Sequence, residues 1–227
     1  MRLVLFDFCE TLVDFQTADA FVDYVRRKRP SLKARLLEWI FRLTGRLYGW
    51  AILHKIRPHY PFSKKCKLLQ LKGMHRSELE QLAAAYYEER LVPAQIPMLH
   101  QKMVQHLQAG DTVWIVSGGY DIYLKLFAQK WNLAGVIASR IGFNQKGICT
   151  GTMLGEDCLR EAKVQYLNQQ FTNIREIRPG SISYSDSITD LPLLKWTETG
   201  VVVSHRKSQS WASSNHLQEL IWNETIV

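Results

Sequence analysis

Short runs rich in apolar residues, each followed by polar or glycine residues, recur along the chain and predict buried β-strands. The strongest runs are Leu3–Phe6, Val113–Ser117, Ser181–Tyr184 and Gly200–Ser204. Unbroken apolar runs of this length are typical of strands covered on both faces. Val136–Ile141 and Gly147–Met153 predict a further short strand and part of a hairpin.

Between these runs, apolar residues recur at the three- and four-residue spacing of amphipathic helices. The predicted helices are Phe15–Arg29, Leu32–Leu53, a stretch beginning at Lys64, Ser77–Tyr87, Ile96–Leu107, Asp121–Trp131 and Glu161–Gln170. Ser77 and Glu80 have the spacing of a capping box at the start of their helix. Strands alternating with helices predict an α/β fold with a doubly wound parallel sheet and right-handed crossovers.

The helices between the first and second predicted strands follow one another without an intervening strand. We interpret residues 15–90 as a helical cap domain inserted into a core formed by residues 1–14 and 91–227. A chain of 227 residues is long enough for one such α/β core with a modest insertion.

Charge is distributed unevenly along the chain, whose formal net charge is +8. Residues 24–76 contain fifteen Lys or Arg and one acidic residue, Glu38, which gives a local charge of +14. The rest of the chain carries −6. This asymmetry indicates a cap that faces anions, attached to a core of ordinary composition.

Composition favours a folded globular protein, because 46% of the residues are apolar and 11% are aromatic. No run of eighteen uncharged apolar residues is present, so we expect no membrane-spanning helix.

The four cysteines lack the close spacing of a zinc or redox site, and we expect no secretory signal before the first strand. We therefore expect a cytoplasmic protein with free thiols.

Polar residues suited to phosphate chemistry follow several of the predicted strands. Asp7 follows the first strand and begins the sequence Asp-Phe-Cys-Glu-Thr-Leu, and Ser117 ends the second strand before a flexible turn at Gly118-Gly119. Lys163 lies near the start of a predicted helix, and Asp186 and Asp190 follow the strand Ser181–Tyr184. In this order the residues resemble the motifs of the haloacid dehalogenase superfamily, in its phosphoserine-phosphatase-like branch. The usual first motif of that superfamily is Asp-Phe-Asp-Gly-Thr-Leu.

The resemblance implies a Mg²⁺-dependent phosphatase or phosphotransferase that forms an aspartyl-phosphate on Asp7. It implies that Asp7, the backbone carbonyl of Cys9 and Asp186 hold the Mg²⁺ ion, and that Asp190 supports this loop or a metal-bound water. Phosphoryl oxygens are expected to bind Ser117, Gly118, Gly119 and Lys163. Considered singly, each residue has a simpler role, such as capping a helix, closing a turn or facing solvent.

Cys9 departs from the resembling motif, because the second Asp of that motif is the general acid and base. A thiol keeps the backbone carbonyl but lacks the carboxyl group, and general acid–base assistance contributes about 10²- to 10⁴-fold to rate. Three consequences are open. In the first, the enzyme hydrolyses esters that need little proton transfer, or Glu10 or a cap residue supplies the proton transfer. In the second, it passes the phosphoryl group to another acceptor. In the third, it only binds phosphorylated ligands. We favour a slow or specialised phosphatase.

The substrate is less determined than the reaction. The basic cap indicates an acidic phosphorylated small molecule or a lipid phosphate. The predicted helix Leu32–Leu53 contains aromatic residues beside arginines, namely Trp39, Phe41, Tyr48 and Trp50. This pattern is typical of a helix in peripheral contact with an anionic membrane. An apolar face that packs into the cap's own core explains the pattern better. No nucleic-acid-binding motif accompanies the charge, so we do not expect nucleic acid. The alternative to an enzyme is a catalytically weak phospholigand-binding protein that uses the basic cap as an interaction surface.

Overall fold

The computed structural model describes residues 2–29 and 60–223. The predicted helix Leu32–Leu53, with its aromatic and arginine residues, lies outside the described residues. The strands are β1 Leu3–Phe6, β2 Thr112–Tyr120, β3 Gly135–Ser139, β4 Ile141–Phe143, β5 Cys149–Met153, β6 Ile182–Ser185, β7 Thr199–His205 and β8 Gln218–Trp222. The helices are α1 Thr17–Lys28, α2 Tyr60–Leu68, α3 Arg76–Tyr86, α4 Pro97–Gln108, α5 Asp121–Lys130, α6 Glu161–Gln170, α7 Ile174–Ile177, α8 Leu191–Trp196 and α9 Ser210–Ser214.

Six strands form one parallel sheet in the order β3-β2-β1-β6-β7-β8. All four residues of β1 are buried, as its unbroken apolar sequence predicts. Phe6 pairs with Ile115 on β2 and with Tyr184 on β6, so β1 and β6 end nearly level, whereas β2 runs on to Tyr120. The strand order reverses direction between β1 and β6, which is where ligands bind in doubly wound sheets. The predicted α/β fold class is confirmed.

The helices between β1 and α4 pack against the core through aromatic side chains. Phe21 of α1 and Tyr86 of α3 lie 5.2 and 5.4 Å from the ring of Tyr123 on α5. A 3₁₀ turn, Leu69–Leu71, joins α2 to the loop before α3, and a π-helical turn, Tyr87–Leu91, follows α3. The division into a core and a cap at residues 15–90 stays a prediction.

We use the word insertion for the chain between β1 and α4. The segments that lead into it and out of it are paired with each other. Val13 and Gln95 form an antiparallel bridge. The Asp14 N–H group donates to the Ala94 carbonyl at 3.0 Å, and the Ile96 N–H group donates to the Leu12 carbonyl at 3.0 Å. The insertion is therefore anchored by a short two-stranded ribbon next to the loop that follows β1.

The structure differs from the sequence-based prediction at several elements. Strand β2 runs to Tyr120, so Gly118 and Gly119, expected as a turn, lie within the strand. The capping box of Ser77 and Glu80 is absent, because α3 begins one residue earlier, after His75, without a side-chain cap. The short elements α7, α9 and β8 were not predicted, since their sequences lack a sustained apolar period. No helix in the described ranges is long and apolar enough to cross a membrane.

Candidate active site

The predicted site residues converge at the carboxyl ends of β1, β2 and β6. Asp7 follows β1 directly, Ser117 lies in β2, and Asp186 follows β6. Together with Lys163, near the start of α6, they line a cleft of about 630 Å³. Cys9, Gly118 and Asp190 also line this cleft. The parallel sheet therefore brings together carboxylates that lie more than 170 residues apart in the sequence.

Lys163 connects two of the carboxylates inside the protein. Its Nζ atom donates to Asp7 Oδ1 at 2.7 Å and to Asp190 Oδ2 at 2.5 Å, and the lysine is only 2% exposed. The Ser185 hydroxyl also donates to Asp190 Oδ2, at 2.7 Å. Asp190 thus holds the lysine in place beside Asp7, rather than standing free in the loop.

Burial and charge act in opposite directions on this group of residues. Burial raises the pKa of Asp7 to about 6, although the positive charge of Lys163 opposes the shift. Burial alone would lower the pKa of Lys163, but the charges of Asp7 and Asp190 outweigh it and raise that pKa well above its usual value. The ion pair with Lys163 favours the ionised form of Asp7, the state that a nucleophilic carboxylate requires.

Asp186 lies near Asp7 and is hydrogen-bonded to Thr11. The Thr11 hydroxyl donates to Asp186 Oδ1 at 3.2 Å and accepts from the Asp186 N–H group at 3.1 Å. Burial, followed by the negative charges of Asp7, Glu10 and Asp190, raises the pKa of Asp186 to about 8. Asp7, Asp186 and Asp190 therefore lie close together, with the amine of Lys163 between Asp7 and Asp190, and this concentration of negative charge suits a divalent cation.

The oxygen atoms available in the cleft fit a magnesium ion better than a softer metal. Within residues 2–29 and 60–223, no three His, Cys, Asp or Glu side chains form a ready metal-binding cluster. Asp7 and Asp186 can supply carboxylate oxygens, and the backbone of Cys9 can supply a carbonyl oxygen. Mg²⁺ commonly takes one or two carboxylates and keeps several waters, so a small protein donor set is compatible with it.

Ser117 and the two glycines after it differ in their position relative to the cleft. The Gly119 N–H group donates to Ser117 Oγ at 3.2 Å, which orients the hydroxyl group. Gly118 lines the cleft, whereas Gly119 does not. A Cβ atom at Gly119 would lie 2.8 Å from the Tyr123 hydroxyl and 3.2 Å from Thr17 Oγ1, so this glycine packs against the insertion and α5. The direct binding of substrate by Gly119 stays a prediction, and the structure adds its hydrogen bond with Ser117.

Cys9 is buried and neutral. Its Sγ atom lies 3.1 Å from Thr17 Oγ1 and accepts from the Thr17 N–H group at 3.5 Å, and Thr17 Oγ1 is 2.7 Å from the Tyr123 hydroxyl. Burial, with the nearby charge of Asp7, raises the pKa of the thiol to about 11. A thiol with this pKa is not matched to proton transfer at neutral pH. Glu10, the other proton donor considered, is exposed and accepts a hydrogen bond from Gln16 at 2.6 Å.

Sequence reasoning missed a second polar group that lines the same cleft. Lys64 of α2 lies 2.5 Å from Asp157 Oδ1 and 3.2 Å from Ser139 Oγ. In the sequence, Lys64 belongs to a basic run and Asp157 to a polar loop, so neither position carries a signal. Thr11 was visible in the first motif, but its bond to Asp186 could not be predicted without the sheet.

Three comparisons with known proteins agree with this geometry. Residues 4–195 match the family model described as haloacid dehalogenase-like hydrolase. A histidinol-phosphatase of Neisseria meningitidis serogroup C (strain 8013) is 26% identical over 143 residues. That match covers 62% of this chain and 64% of the relative, so the chain aligns with less than two thirds of that protein.

Solved structures extend the similarity of fold to nearly the whole chain. A protein of unknown function from Bordetella pertussis Tohama I has a TM-score of 0.76 at 21% identity, with 96% of this chain and 97% of that chain covered. A substrate-bound phosphoserine phosphatase has a TM-score of 0.61 at 19% identity, with 96% and 92% covered. At these identities the similarity concerns the fold. With the family match over residues 4–195, the chain belongs to the haloacid dehalogenase-like hydrolases.

Proposed function

We propose that the protein is a phosphoric monoester hydrolase in which Asp7 forms an aspartyl-phosphate. The observation that carries this proposal is the buried ion pair of Asp7 with Lys163, which Asp190 holds from the other side. The pair lies at the end of the central strand, in an open cleft, at the reversal of the strand order. A carboxylate nucleophile with a fixed cation beside it is the arrangement that phosphoryl transfer requires.

In the first step, an Asp7 carboxylate oxygen forms a bond to phosphorus while the bond from phosphorus to the alcohol oxygen breaks. The alcohol oxygen leaves with the electron pair and takes up a proton. Lys163 and the Ser117 hydroxyl bind the phosphoryl oxygens and stabilise their charge. In the second step, water attacks the phosphorus of the acyl phosphate, which releases inorganic phosphate and restores the Asp7 carboxylate.

The cation that we propose is Mg²⁺, held by Asp7, Asp186 and the Cys9 carbonyl. When bound, it neutralises charge on the phosphoryl oxygens that Lys163 does not reach. The surroundings of Asp186 support this assignment, because burial and the neighbouring carboxylates raise its pKa and a bound cation would offset both effects.

We further propose that turnover is slow or restricted to particular esters. The Cys9 thiol, with a pKa of about 11, cannot act as an efficient general acid and base near neutral pH. Esters with leaving groups that need little protonation are therefore expected to react fastest. The same observation supports the second candidate function, a phospholigand-binding protein with little turnover.

A small phosphate monoester is the substrate class that we propose. The named relative is a histidinol-phosphatase, and the cleft volume of about 630 Å³ suits a metabolite. Several cations of the described insertion are engaged internally: Lys28 with Glu89, Arg29 with Glu78, Lys64 with Asp157, and Lys67 with Asp19 and Asp23. These pairs weaken the argument from net charge for a lipid phosphate.

The test is a panel of small phosphate monoesters and lipid phosphates with Mg²⁺, with inorganic phosphate release as the measurement. The parent protein is expected to release phosphate. After rapid quenching it should also carry, on Asp7, an acid-stable phosphoryl group derived from a labelled ester. Asp7→Asn is expected to abolish both, because an amide is not a nucleophile.

Asp14→Asn is the matched control, since Asp14 is an exposed aspartate in the segment that follows Asp7. It is expected to keep the activity of the parent protein. Equal phosphate release by Asp7→Asn and the parent would remove Asp7 as the nucleophile. Binding of phosphate esters without label or release would favour the phospholigand-binding alternative.

A further inference from the structure

Lys64 is a buried lysine that the proposed reaction does not use. It comes from α2 of the insertion, and its side chain is 1% exposed. Its Nζ atom donates to the Gly118 carbonyl at 2.5 Å, to Asp157 Oδ1 at 2.5 Å and to Ser139 Oγ at 3.2 Å. These partners lie 54 to 93 residues away in the sequence, at the ends of β2 and β3 and in the loop before α6.

Through Gly118, this lysine is connected to Ser117. The carbonyl of Gly118 and the N–H group of Gly119 belong to one peptide unit, which is planar and rigid. Lys64 binds the carbonyl, and the N–H group donates to Ser117 Oγ at 3.2 Å. The orientation of the Ser117 hydroxyl group therefore depends on a peptide whose other end is held by the insertion.

The loop that carries Asp157 is packed against the same peptide. A Cβ atom at Gly118 would lie 2.4 Å from Leu159 Cδ2, so the loop and the strand are in close contact. The Cys158 N–H group donates to Ser139 Oγ at 3.0 Å, and the Ser139 hydroxyl donates to Asp157 Oδ1 at 2.5 Å. Lys64 thus contacts both the strand with Ser117 and the loop that leads into the helix with Lys163.

Stability alone is a weak explanation for this ion pair. Burying two charges costs desolvation energy that their attraction offsets only when the geometry and the remaining hydrogen bonds are good. Asp157 Oδ2 is buried and has no hydrogen-bond partner among the described residues, so the pair is not fully satisfied. The pair lines the same cleft as Asp7, and its contact with the Gly118 carbonyl gives it a possible role there beyond stability.

We propose that Lys64 is a positioning residue, which fixes the Gly118–Gly119 peptide and thereby the Ser117 hydroxyl group that binds the phosphoryl oxygens. The inference rests on the proposed phosphatase function. It assigns to the insertion a direct part in forming the phosphate-binding side of the cleft. Catalysis then depends on contact between α2 and the ends of β2 and β3.

The experiment compares Lys64→Met, the double variant Lys64→Met with Asp157→Leu, and the control Lys67→Met. Replacing both members of a buried ion pair by apolar residues of similar size commonly preserves stability, whereas removing one leaves an unpaired charge. Lys67 lies on the same helix and pairs with Asp19 and Asp23 of α1, away from the Gly118 peptide. Each protein is examined for kcat/KM, affinity for inorganic phosphate and the denaturant midpoint of unfolding.

A positioning role predicts that the double variant unfolds at a midpoint near that of the parent, yet loses about 10²-fold in kcat/KM. Its affinity for inorganic phosphate should also fall, while Lys67→Met keeps the parent values.

Parent-like turnover and phosphate affinity in the double variant would overturn the inference and leave the proposed function intact. Failure of both Lys64 variants to fold, with Lys67→Met folded, would assign Lys64 a structural role and overturn it as well. A parent protein that neither binds phosphate nor hydrolyses esters would contradict the proposed function itself, and the inference with it.

Discussion

The Cys9 side chain is held by the insertion rather than by the reacting group. Its sulfur contacts Thr17 at the start of α1, and Thr17 in turn contacts Tyr123 on α5. The Thr17 N–H group donates to the sulfur, and the Thr17 hydroxyl group can donate or accept there, so both would suit an oxygen acceptor as well. The position therefore keeps surroundings in which a carboxylate could be accommodated.

Cys9→Asp is expected to raise the turnover of phosphate esters by at least about tenfold, because a carboxyl group restores general acid–base assistance. The measurement is kcat for a panel of esters with leaving groups of increasing pKa, and the gain should be largest for the poorest leaving groups.

Cys9→Ser is the control for this prediction, because it keeps a small group bonded to Thr17 but supplies no carboxylate. It should stay close to the parent in kcat. An unchanged kcat in Cys9→Asp, with the protein folded, would show that proton transfer does not limit the reaction.

At this scale, sequence reasoning found the residues that follow strands and missed those that reach the cleft from elsewhere. Asp7, Ser117 and Asp186 could be placed because parallel strands end at one edge of the sheet. Lys163 required the resemblance to a family, since a helical lysine has no distinguishing pattern. Lys64 could not be found, because its contacts depend on how the insertion packs on the core.

Strand β2 shows how an element can differ from its local sequence. Two consecutive glycines normally weaken a strand and indicate a turn. Here both lie within β2, but at an irregularity of its pairing with β3 between Ser117 and Tyr120, where neighbouring groups leave no room for a side chain. Tertiary packing, which the sequence does not display, decides the conformation at this point.

Gly119→Ala is expected to destabilise the protein by about 1–3 kcal/mol, the usual cost of overpacking a buried site. The new Cβ atom would lie 2.8 Å from the Tyr123 hydroxyl. That hydroxyl is fixed by bonds to Thr17 and to the Tyr120 N–H group, so it cannot move away easily. The free energy of unfolding in urea measures the effect.

Gly118→Ala is the matched comparison, because its new Cβ atom meets Leu159 Cδ2, the end of a flexible and partly buried side chain. Its loss of stability should be the smaller of the two. The reverse order would mean that the loop before α6 is more rigid than the contact between Tyr123 and Thr17.

On the scale of the whole molecule, the charge of the chain and the charge of the cleft have opposite signs. The net charge is +8, but at the centre of the cleft the carboxylates of Asp7 and Asp190 share the amine of Lys163, and the carboxylate of Asp186 lies near them. The expectation of an anion-facing cap came from counting residues along the sequence. In the described residues, the lysines of α2 that approach the core are paired with aspartates.

The balance of charge in the cleft predicts how metal and pH affect stability. Asp186 has a pKa of about 8 when folded, so it binds a proton more tightly in the folded chain than in the unfolded one. This contribution to stability is present at low pH and disappears as the pH rises towards about 8. The metal-free protein should therefore lose thermal stability across this range.

Magnesium is expected to raise Tm more at about pH 8 than at about pH 5, because its carboxylate ligands must be deprotonated. Thermal unfolding with and without Mg²⁺ at both pH values is the measurement. Asp186→Asn should reduce the effect of Mg²⁺ and flatten the pH dependence of the metal-free protein. A magnesium effect of equal size in Asp186→Asn would exclude this aspartate as a ligand.

The ribbon at Val13 and Gln95 connects the insertion to the segment that directly follows Asp7. Because the two connecting segments are hydrogen-bonded to each other, a displacement of one segment is expected to move the other. A substrate that fits poorly and displaces the insertion is therefore expected to displace the loop that contains Asp7 as well. Discrimination among esters can thus operate mechanically, by misaligning the attacking oxygen before a bond begins to form.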